Sequence, residues 1–260
     1  MRPKLAVIIW LSLCSSFLPA QTGSLTAFSI IAQSLVQLTG GQSVHDVSLS
    51  GTVGRTISSE SDSGTILLRG VGVTESRIDF GLSSGLVSEI RTSGSGDPQG
   101  FWTSTDRSNQ PFASHNCYSD AVWFFPALTI ISQLSIPGVT TNYVGQESLD
   151  GIAVYHLVLQ KSFPDLEDTE NNLIGPWTTE HFYIDSKTLL PVAITFFEHP
   201  DNNANTDIPI RIEFSGYQTI TGFKVPQQII KYVNGVKLYD IQISSSQINS
   251  GLSASTLLAQ

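Results

Sequence analysis

The sequence is short of positive charge and of cysteine. It has 13 Lys and Arg against 22 Asp and Glu in 260 residues, which gives a formal net charge of −9. A protein that neutralises phosphates needs a basic surface, so this balance argues against nucleic acid as a partner. The two cysteines, Cys14 and Cys117, are too few for a disulfide framework. We expect Cys117 to be a small buried side chain, with an intermolecular bridge or a reactive thiol as the alternative.

The sequence also lacks the motifs of metal and cofactor enzymes. None of the five histidines has the spacing of a helical metal site, and no phosphate-binding or dinucleotide-binding glycine pattern occurs. His45, His156 and His181 lie within predicted strands and are interpreted as sheet residues. We therefore expect no cofactor, no metal and no enzymatic activity.

Residues 81–85 read GLSSG, which matches the string around the nucleophilic serine of many hydrolases. That motif requires a strand followed by a helix, whereas residues 86–91 alternate between apolar and polar as a strand does. A hairpin turn is the favoured interpretation. An esterase-type hydrolase that uses Ser83 is a remote alternative.

Residues 201–207 read DNNANTD and place oxygen-bearing side chains at alternate positions from Asp201 to Asp207, as in the opening of a calcium loop. Thr206 replaces the turn glycine of such a loop, and Ile212 replaces its bidentate glutamate. An exposed hairpin loop is favoured, with calcium binding as the alternative. The acidic residues at 165–170 are interpreted as a solvated surface loop.

Residues 1–20 have the pattern of a secretory signal peptide. Arg2 and Lys4 supply the positive start, residues 5–13 are apolar, and Ala20 is the small residue at which cleavage is expected. The apolar run is shorter than the roughly 18 residues of a membrane anchor, which is the alternative. Lipidation of Cys14 is disfavoured because the large Leu13 precedes it. We expect an exported protein, periplasmic or extracellular, whose residues 21–260 form a single domain.

Hydrophobic periodicity predicts one helix near the N-terminus and an antiparallel meander after it. Leu25, Phe28, Ile31, Leu35 and Leu38 recur at helical spacing before the glycine pair at 40–41. The Asp-Gly pair at 150–151 and the Asn-Gly pair at 234–235 are strong hairpin signals. The predicted strands are 44–57, 65–73, 75–80, 86–91, 141–147, 152–161, 180–185, 190–198, 208–215, 224–233 and 237–248.

A second helical pattern covers residues 118–134 and is interrupted by Pro126, which predicts a bent or split helix. This central helix is either a core helix or a lid. Roughly ten strands spaced about 4.8 Å apart form a sheet about 45 Å wide, and two helices about 10 Å across cover less than half of it. The sheet is therefore expected to curl around the helices, and any remaining gap becomes an apolar groove.

Three stretches carry a family pattern. Residues 182–192 read FYIDSKTLLPV, residues 212–217 and 221–226 read IEFSGY and TGFKVP, and residues 241–243 read IQI. Over about residues 180–250 the chain resembles the LolA-like periplasmic carriers of the outer-membrane lipoprotein-sorting family. The resemblance implies a half-open barrel that holds acyl chains or other apolar matter in its concavity, without catalytic residues. Residues 93–180 show no motif of that family.

The predicted fold class is mainly β (α+β): a large curved antiparallel sheet forming a half-open barrel around the N-terminal helix and the central helix. The predicted function is the binding of a lipid, an acyl chain of a lipoprotein or another apolar small molecule in the concave face. The alternative is a non-enzymatic envelope sensor or interaction module with a filled core and an envelope protein as its partner. The residues expected to line the apolar cavity, beneath a lid near Trp123 and Phe124, are Trp123, Phe124, Tyr155, Leu157, Leu159, Phe182, Val192, Ile194, Phe196, Ile210, Ile212 and Phe214.

Overall fold

The computed structural model describes residues 26–93, 97–104, 107–163 and 165–258, so the predicted signal peptide at 1–20 lies outside the described residues. The helices are α1 Ala27–Thr39, α2 Pro126–Leu134, α3 Asp168–Ile174 and α4 Ala254–Leu258, with 3₁₀ turns at Ser114–Tyr118 and Gly175–Thr178. The strands are β1 Asp46–Ile57, β2 Glu60–Val71, β3 Glu75–Leu82, β4 Gly85–Thr92, β5 Gln99–Ser104, β6 Arg107–Pro111, β7 Thr140–Leu149, β8 Ile152–Gln160, β9 Glu180–Asp185, β10 Pro191–Glu198, β11 Ile208–Ser215, β12 Gln218–Ile220, β13 Phe223–Val225, β14 Gln228–Val233 and β15 Val236–Ile248.

Most of these strands form one large antiparallel sheet. In the described residues it has 13 strands in the order β6-β5-β4-β3-β2-β1-β15-β14-β11-β10-β9-β8-β7, and β12 pairs with β13 separately. The edge strands β6 and β7 do not pair with each other within the described part of the chain, so the sheet is not closed. The predicted fold class, a half-open barrel of antiparallel strands around helices, is confirmed.

Helix α1 begins and ends at residues that the sequence marks. The Thr26 hydroxyl accepts from the Ser29 amide, and the Ser29 hydroxyl accepts from the Thr26 amide, each at 3.1 Å, which forms a capping box. Gly40 ends the helix with a φ of 60°, a left-handed conformation that suits glycine. The buried stripe is rotated from the predicted one, because Phe28 is 59% exposed. The buried residues are Ala27, Ile30, Ile31, Ser34, Leu38 and Thr39.

The core lies between the concave face of the sheet and helices α1 and α2. The strand register places Leu157, Phe182, Ile194 and Ile212 in one inward row across β8, β9, β10 and β11. All four side chains are at most 1% exposed. Period-two alternation thus buries one face of these strands, as the sequence predicted.

Both predicted two-residue hairpins are confirmed. Asp150 and Gly151 connect β7 to β8 with φ values of 51° and 85°, and Asn234 and Gly235 connect β14 to β15 with φ values of 49° and 76°. Positive φ at both central positions is what a type I′ turn requires.

The predicted helix at 118–134 is split more deeply than its sequence pattern indicates. The 3₁₀ turn Ser114–Tyr118 ends where the predicted helix begins, residues 119–125 form turns and irregular backbone, and α2 starts only at Pro126. Proline is well suited to the first helical position, because its missing N–H would have no partner there. Leu128, Thr129 and Ile130 on α2 are all 1% exposed or less, which agrees with the core-helix interpretation.

Other elements also differ from the predictions for local reasons. Pro226 divides the predicted strand 224–233 into β13 and β14, because proline cannot donate to the ladder. Strands β5 and β6 follow a Gly- and Ser-rich stretch and were not predicted. Helix α3 lies where an acidic surface loop was expected, and a capping box of Glu167 and Glu170 begins it.

Candidate functional site

The structure brings most of the predicted cavity residues together. Tyr155 packs against the core cluster while partly exposed, and Val192 is half-buried outside it. The remaining residues belong to one cluster, each 5% exposed or less: Trp123, Phe124, Leu157, Leu159, Phe182, Ile194, Phe196, Ile210, Ile212 and Phe214. Helices α1 and α2 pack into the same cluster. The concavity is therefore apolar, and helices occupy it.

Residues 112–125, here called the crossing segment, link edge strand β6 to helix α2. The Asn116 amide nitrogen donates to the carbonyl of His199 at 2.7 Å, and its amide oxygen accepts from the His199 N–H at 2.8 Å. The guanidinium of Arg91 donates to the carbonyls of Asn116 and Ser119 at 3.1 and 3.0 Å. The crossing segment is thereby tied to β4 and to the loop after β10. Cavities lie along it.

The first cavity, here called the gap cavity, has a volume of about 230 Å³ and lies between the crossing segment, the end of α2 and the end of β8. Its apolar lining comes from Val73, Cys117, Tyr118, Ala121, Ile136 and Phe163.

A buried polar network adjoins the gap cavity. Lys161 Nζ donates to Asp120 Oδ1 at 2.5 Å, and the Ser132 hydroxyl donates to the same oxygen at 2.6 Å. Glu180 lies beside this pair and is 2% exposed. Burial first, and the negative charge of Asp120 second, raise the pKa of Glu180 well above its usual value, while Lys161 opposes the shift. One carboxyl in this network is thus driven towards its neutral form.

The second cavity, here called the mouth cavity, has a volume of about 370 Å³. It lies on the concave side between β4, β5, β14 and the loop after β10. Charged side chains at inward strand positions line it: Glu89 and Arg91 on β4, Glu198 on β10 and Lys231 on β14. Glu89, Arg91 and Lys231 are 5%, 6% and 7% exposed. Trp102 and Phe112 supply aromatic walls.

Electrostatic contacts connect the walls of the mouth cavity. Lys231 Nζ lies 3.1 Å from Glu198 Oε1 and 5.1 Å from the centre of the Trp123 ring. Burial raises the pKa of Glu89, and the charges of Lys231 and Arg91 oppose that rise. The indole N–H of Trp123 lies beside Glu89 without meeting hydrogen-bond geometry. The cavity is therefore rich in donors and acceptors.

An open groove of about 880 Å³ lies on the outer face of the sheet. His156 Nε2 is 2.8 Å from His181 Nδ1, and His156 Nδ1 is 3.2 Å from Glu147. Burial, and then the neighbouring His156, lower the pKa of His181. Arg211 is paired with Asp150 and with Glu213 on the same groove. As predicted, His156 and His181 are sheet residues, whereas His45 lies just before β1 and not within a strand.

Ser83 lies in the two-residue turn between β3 and β4, and its hydroxyl donates to the Asp62 carboxylate. This hydrogen bond, followed by one from Ser84, lowers the pKa of Asp62. The context is strand, turn and strand, as the hairpin interpretation predicted. A nucleophile elbow would require a helix after the turn.

The two aspartates at the ends of the predicted calcium pattern, Asp201 and Asp207, have different partners. The Asp201 carboxylate accepts from the Ala113 amide at 3.4 Å, whereas the Asp207 carboxylate lies 3.5 Å from His199. Among the described residues, no group of three or more His, Cys, Asp or Glu side chains is placed to hold a metal ion.

Cys117 is free and 4% exposed, and burial raises the pKa of its thiol. The buried thiol agrees with the expectation for Cys117.

Sequence reasoning missed the charged residues of the mouth cavity. On β4, Ile90 is apolar and lies between Glu89 and Arg91, so alternation alone assigns Ile90 to the core side. Ile90 is indeed 3% exposed, but it lies on the outer face of β4. Helix α4 packs on this outer side of the sheet and contacts β3. The only indication in the sequence of an inward charged surface was the presence of two charged residues, at positions 89 and 91, on either side of Ile90.

No protein-family model and no curated protein sequence matches the chain. Solved structures do. A domain classed as an outer membrane lipoprotein-sorting protein, from Vibrio parahaemolyticus, aligns with a TM-score of 0.54 over 89% of this chain and 95% of its own. A DUF1329 family protein from Desulfovibrio piger gives 0.56 over 90% and 98%, and a LolA superfamily protein from Nitrosomonas europaea gives 0.52 over 90% and 98%. Sequence identity is 12% in each case.

These alignments span nearly the whole of each compared chain, so they include the open sheet and the helices inside it. At this sequence identity the alignments establish similarity of fold only. Within the described residues, none of the helices has the length and apolarity needed to cross a bilayer. The chain thus has the fold of the LolA-like proteins.

Proposed function

We propose that this protein is an exported, non-enzymatic binding protein that holds a lipid, an acyl chain or another apolar molecule in the concavity of its half-barrel. The observation that carries the proposal is an unclosed sheet whose concave face is mainly apolar, with the gap cavity between the crossing segment, the end of α2 and the end of β8. The LolA-like fold supports it, since one structural relative is classed as a lipoprotein-sorting protein. Export follows from the signal pattern at residues 1–20.

The gap cavity supplies a starting point for an apolar chain. Its polar network of Asp120, Ser132 and Lys161 occupies one wall, while Val73 and Ile136 belong to its apolar wall. Burial of each methylene contributes about 0.8 kcal/mol, so eight methylenes contribute about 6 kcal/mol before ordering costs. Micromolar retention corresponds to about 8 kcal/mol, so the chain must extend beyond the gap cavity along α2 and bury further methylenes there.

The proposal is tested by titrating delipidated protein with a fluorescent fatty acid and by native mass spectrometry of protein purified from its own host. Ser135 lies at the exposed rim of the gap cavity, so Ser135→Trp fills that rim without disturbing the core. We expect this variant to weaken fatty-acid binding at least tenfold. Ser148→Trp is the matched control, because Ser148 is exposed on edge strand β7 away from the cavity. A flat titration of the unaltered protein would refute the binding function.

A second candidate function is an envelope sensor or interaction module with a filled core and an envelope protein as partner. The observation that favours it is the close packing of Trp123, Phe124 and α2 in the concavity. This function predicts a protein that purifies without lipid and does not bind the fatty acid. An esterase that uses Ser83 is the remote alternative, and loss of esterase turnover in Ser83→Ala would support it over binding.

A further inference from the structure

The mouth cavity places ionic groups where this fold is otherwise apolar. Glu89, Arg91 and Lys231 occupy inward positions on β4 and β14, next to core residues such as Phe80 and Ile229. Removing a charged group from water costs several kcal/mol unless partners replace the lost hydration. Arg91 meets this need by donating to the carbonyls of Asn116 and Ser119, whereas Glu89 and Lys231 bond no backbone group among the described residues. Their presence calls for a polar ligand or a polar structural partner.

One ring nitrogen of the cavity lining, His199 Nε2, has no hydrogen-bond partner among the described residues, whereas the indole N–H of Trp123 lies beside Glu89. His199 is 7% exposed and lines the cavity. Its Nδ1 lies 3.1 Å from the carbonyl oxygen of Thr206, so Nδ1 carries the proton of the neutral ring and Nε2 is an acceptor. A buried acceptor in the cavity lining is therefore unmet.

The charges around the cavity are mixed. Arg91 and Lys231 are cationic, whereas Glu89, Glu198 and Asp201 carry carboxyl groups. An anionic ligand group would face three carboxyls, and a cationic group would face two cations at short range. A hydroxyl group donates one hydrogen bond and accepts others, so it suits both kinds of partner. Several neutral hydroxyls on one compact ring would suit the whole set.

The aromatic walls continue from the cavity into the core. Trp102 and Phe112 meet edge to face at 5.6 Å, and Trp102 lies 6.2 Å from the buried ring of Phe80. Phe80 in turn stacks on Tyr239 at 4.8 Å. One side of the cavity is thus polar and the other leads to apolar rings. A ligand with a polar head and an apolar chain would meet matching surfaces on both sides.

We propose that the mouth cavity binds the neutral polyhydroxyl head group, a sugar ring, of an amphipathic ligand whose apolar chain lies in the half-barrel. The inference rests on the proposed function for the chain, and adds the chemical class of the head. Glu89, Glu198 and His199 Nε2 accept from ring hydroxyls, Lys231 donates to them, and Trp102 covers one ring face. The volume of about 370 Å³ lies within the range of small-molecule sites.

The test uses four probes, three of which have the same eight-carbon chain: octyl glucoside, octanoate, octylammonium and free glucose. Each is titrated below its micelle concentration against the full mature chain, with tryptophan fluorescence and calorimetry as readouts. We expect octyl glucoside to bind at least tenfold more tightly than octanoate and octylammonium, and glucose to bind much more weakly. Glu89→Gln and Lys231→Met should each remove most of that preference. Glu89→Gln keeps the side-chain shape, so it serves if Lys231→Met fails to fold.

Lys237→Met is the matched control, because Lys237 is 47% exposed on its side chain and lies on the neighbouring strand β15. It should retain the preference for the glucoside. Equal affinities for the three octyl probes, unchanged by Glu89→Gln, would overturn the head-group proposal while leaving apolar binding intact. Binding of none of the octyl probes would refute the proposed function itself. Glucose binding as tight as octyl glucoside binding would overturn the amphipathic ligand in favour of a free sugar.

Discussion

Replacing Glu180 by Gln should change how the stability of the protein depends on pH. Glu180 is 2% exposed and lies beside Asp120, and its pKa is raised well above the usual value by burial and by that neighbour. In the neutral form, its carboxyl can donate to Asp120, and a glutamine amide can donate in the same way. Glu180→Gln therefore preserves the hydrogen bond and removes the titration.

The direction of this pH dependence follows from the numbers of protons that the native and unfolded states bind. Between the pKa of Glu180 in the unfolded chain, about 4.3, and its raised value in the native state, the native protein holds a proton that the unfolded chain has lost. Stability of the native state therefore falls as pH rises through this window, by up to about 1.4 kcal/mol per pH unit from this one group. Below the unfolded-state pKa the group contributes no pH dependence. Lys161 limits the window, because its charge opposes the shift.

The measurement is urea unfolding of the unaltered protein and of Glu180→Gln at half-unit steps from pH 4 to pH 8. Because Glu89 titrates in both proteins, its contribution cancels in the difference. The variant should gain stability relative to the unaltered protein as pH rises, and the gain should level off above the native pKa. Glu60→Gln, at an exposed position in a hairpin, is the control and should give a flat difference. If the free energies of unfolding of Glu180→Gln and of the unaltered protein changed in parallel with pH, the reasoning would be refuted.

Phe182→Ala should lower the free energy of unfolding, measured in urea, by about 3 to 5 kcal/mol, because Phe182 is fully buried. Phe197→Ala, on the outer face of the same sheet, is the control and should have a small effect. Asn116→Ala removes both hydrogen bonds to His199, so amide hydrogen exchange should accelerate in the crossing segment and stay slow in α1. The buried Cys117 thiol should react with an alkylating reagent only as urea unfolds the protein; fast reaction in buffer would contradict its burial.

Much of the fold could be predicted because the local signals agree with the tertiary arrangement. Alternation in β11 places Ile210 and Ile212 inward, and the Asn-Gly pair after β14 requires the turn that is observed. Edge strand β6 and its neighbour β5 escaped prediction, since strands near a sheet edge are partly solvated and tolerate polar residues such as Gln110. Pairing of β5 with β4, and of β6 with β5, rather than their own pattern, makes them strands.

The candidate site was predicted less well than the fold. Inward apolar residues such as Phe182 follow from alternation, but alternation cannot identify an inward charge on a strand that is buried on both faces. On β4 the outer Ile90 is shielded, so Glu89 and Ile90 are both buried although they point in opposite directions. The rule of one apolar and one polar face holds only where one face meets water.

Inward charges in this half-barrel fall into two classes. The crossing segment runs through the core as irregular backbone, with Phe124 and Phe125 fully buried, and such backbone needs partners for its carbonyls. Arg91 supplies two of those partners, so packing alone accounts for its inward position. Glu89 and Lys231 differ, since neither bonds a backbone group in the described part of the chain, and the ion pair of Lys231 is with Glu198. Their partners are side chains around the mouth cavity, which is where the proposed polar head group would bind.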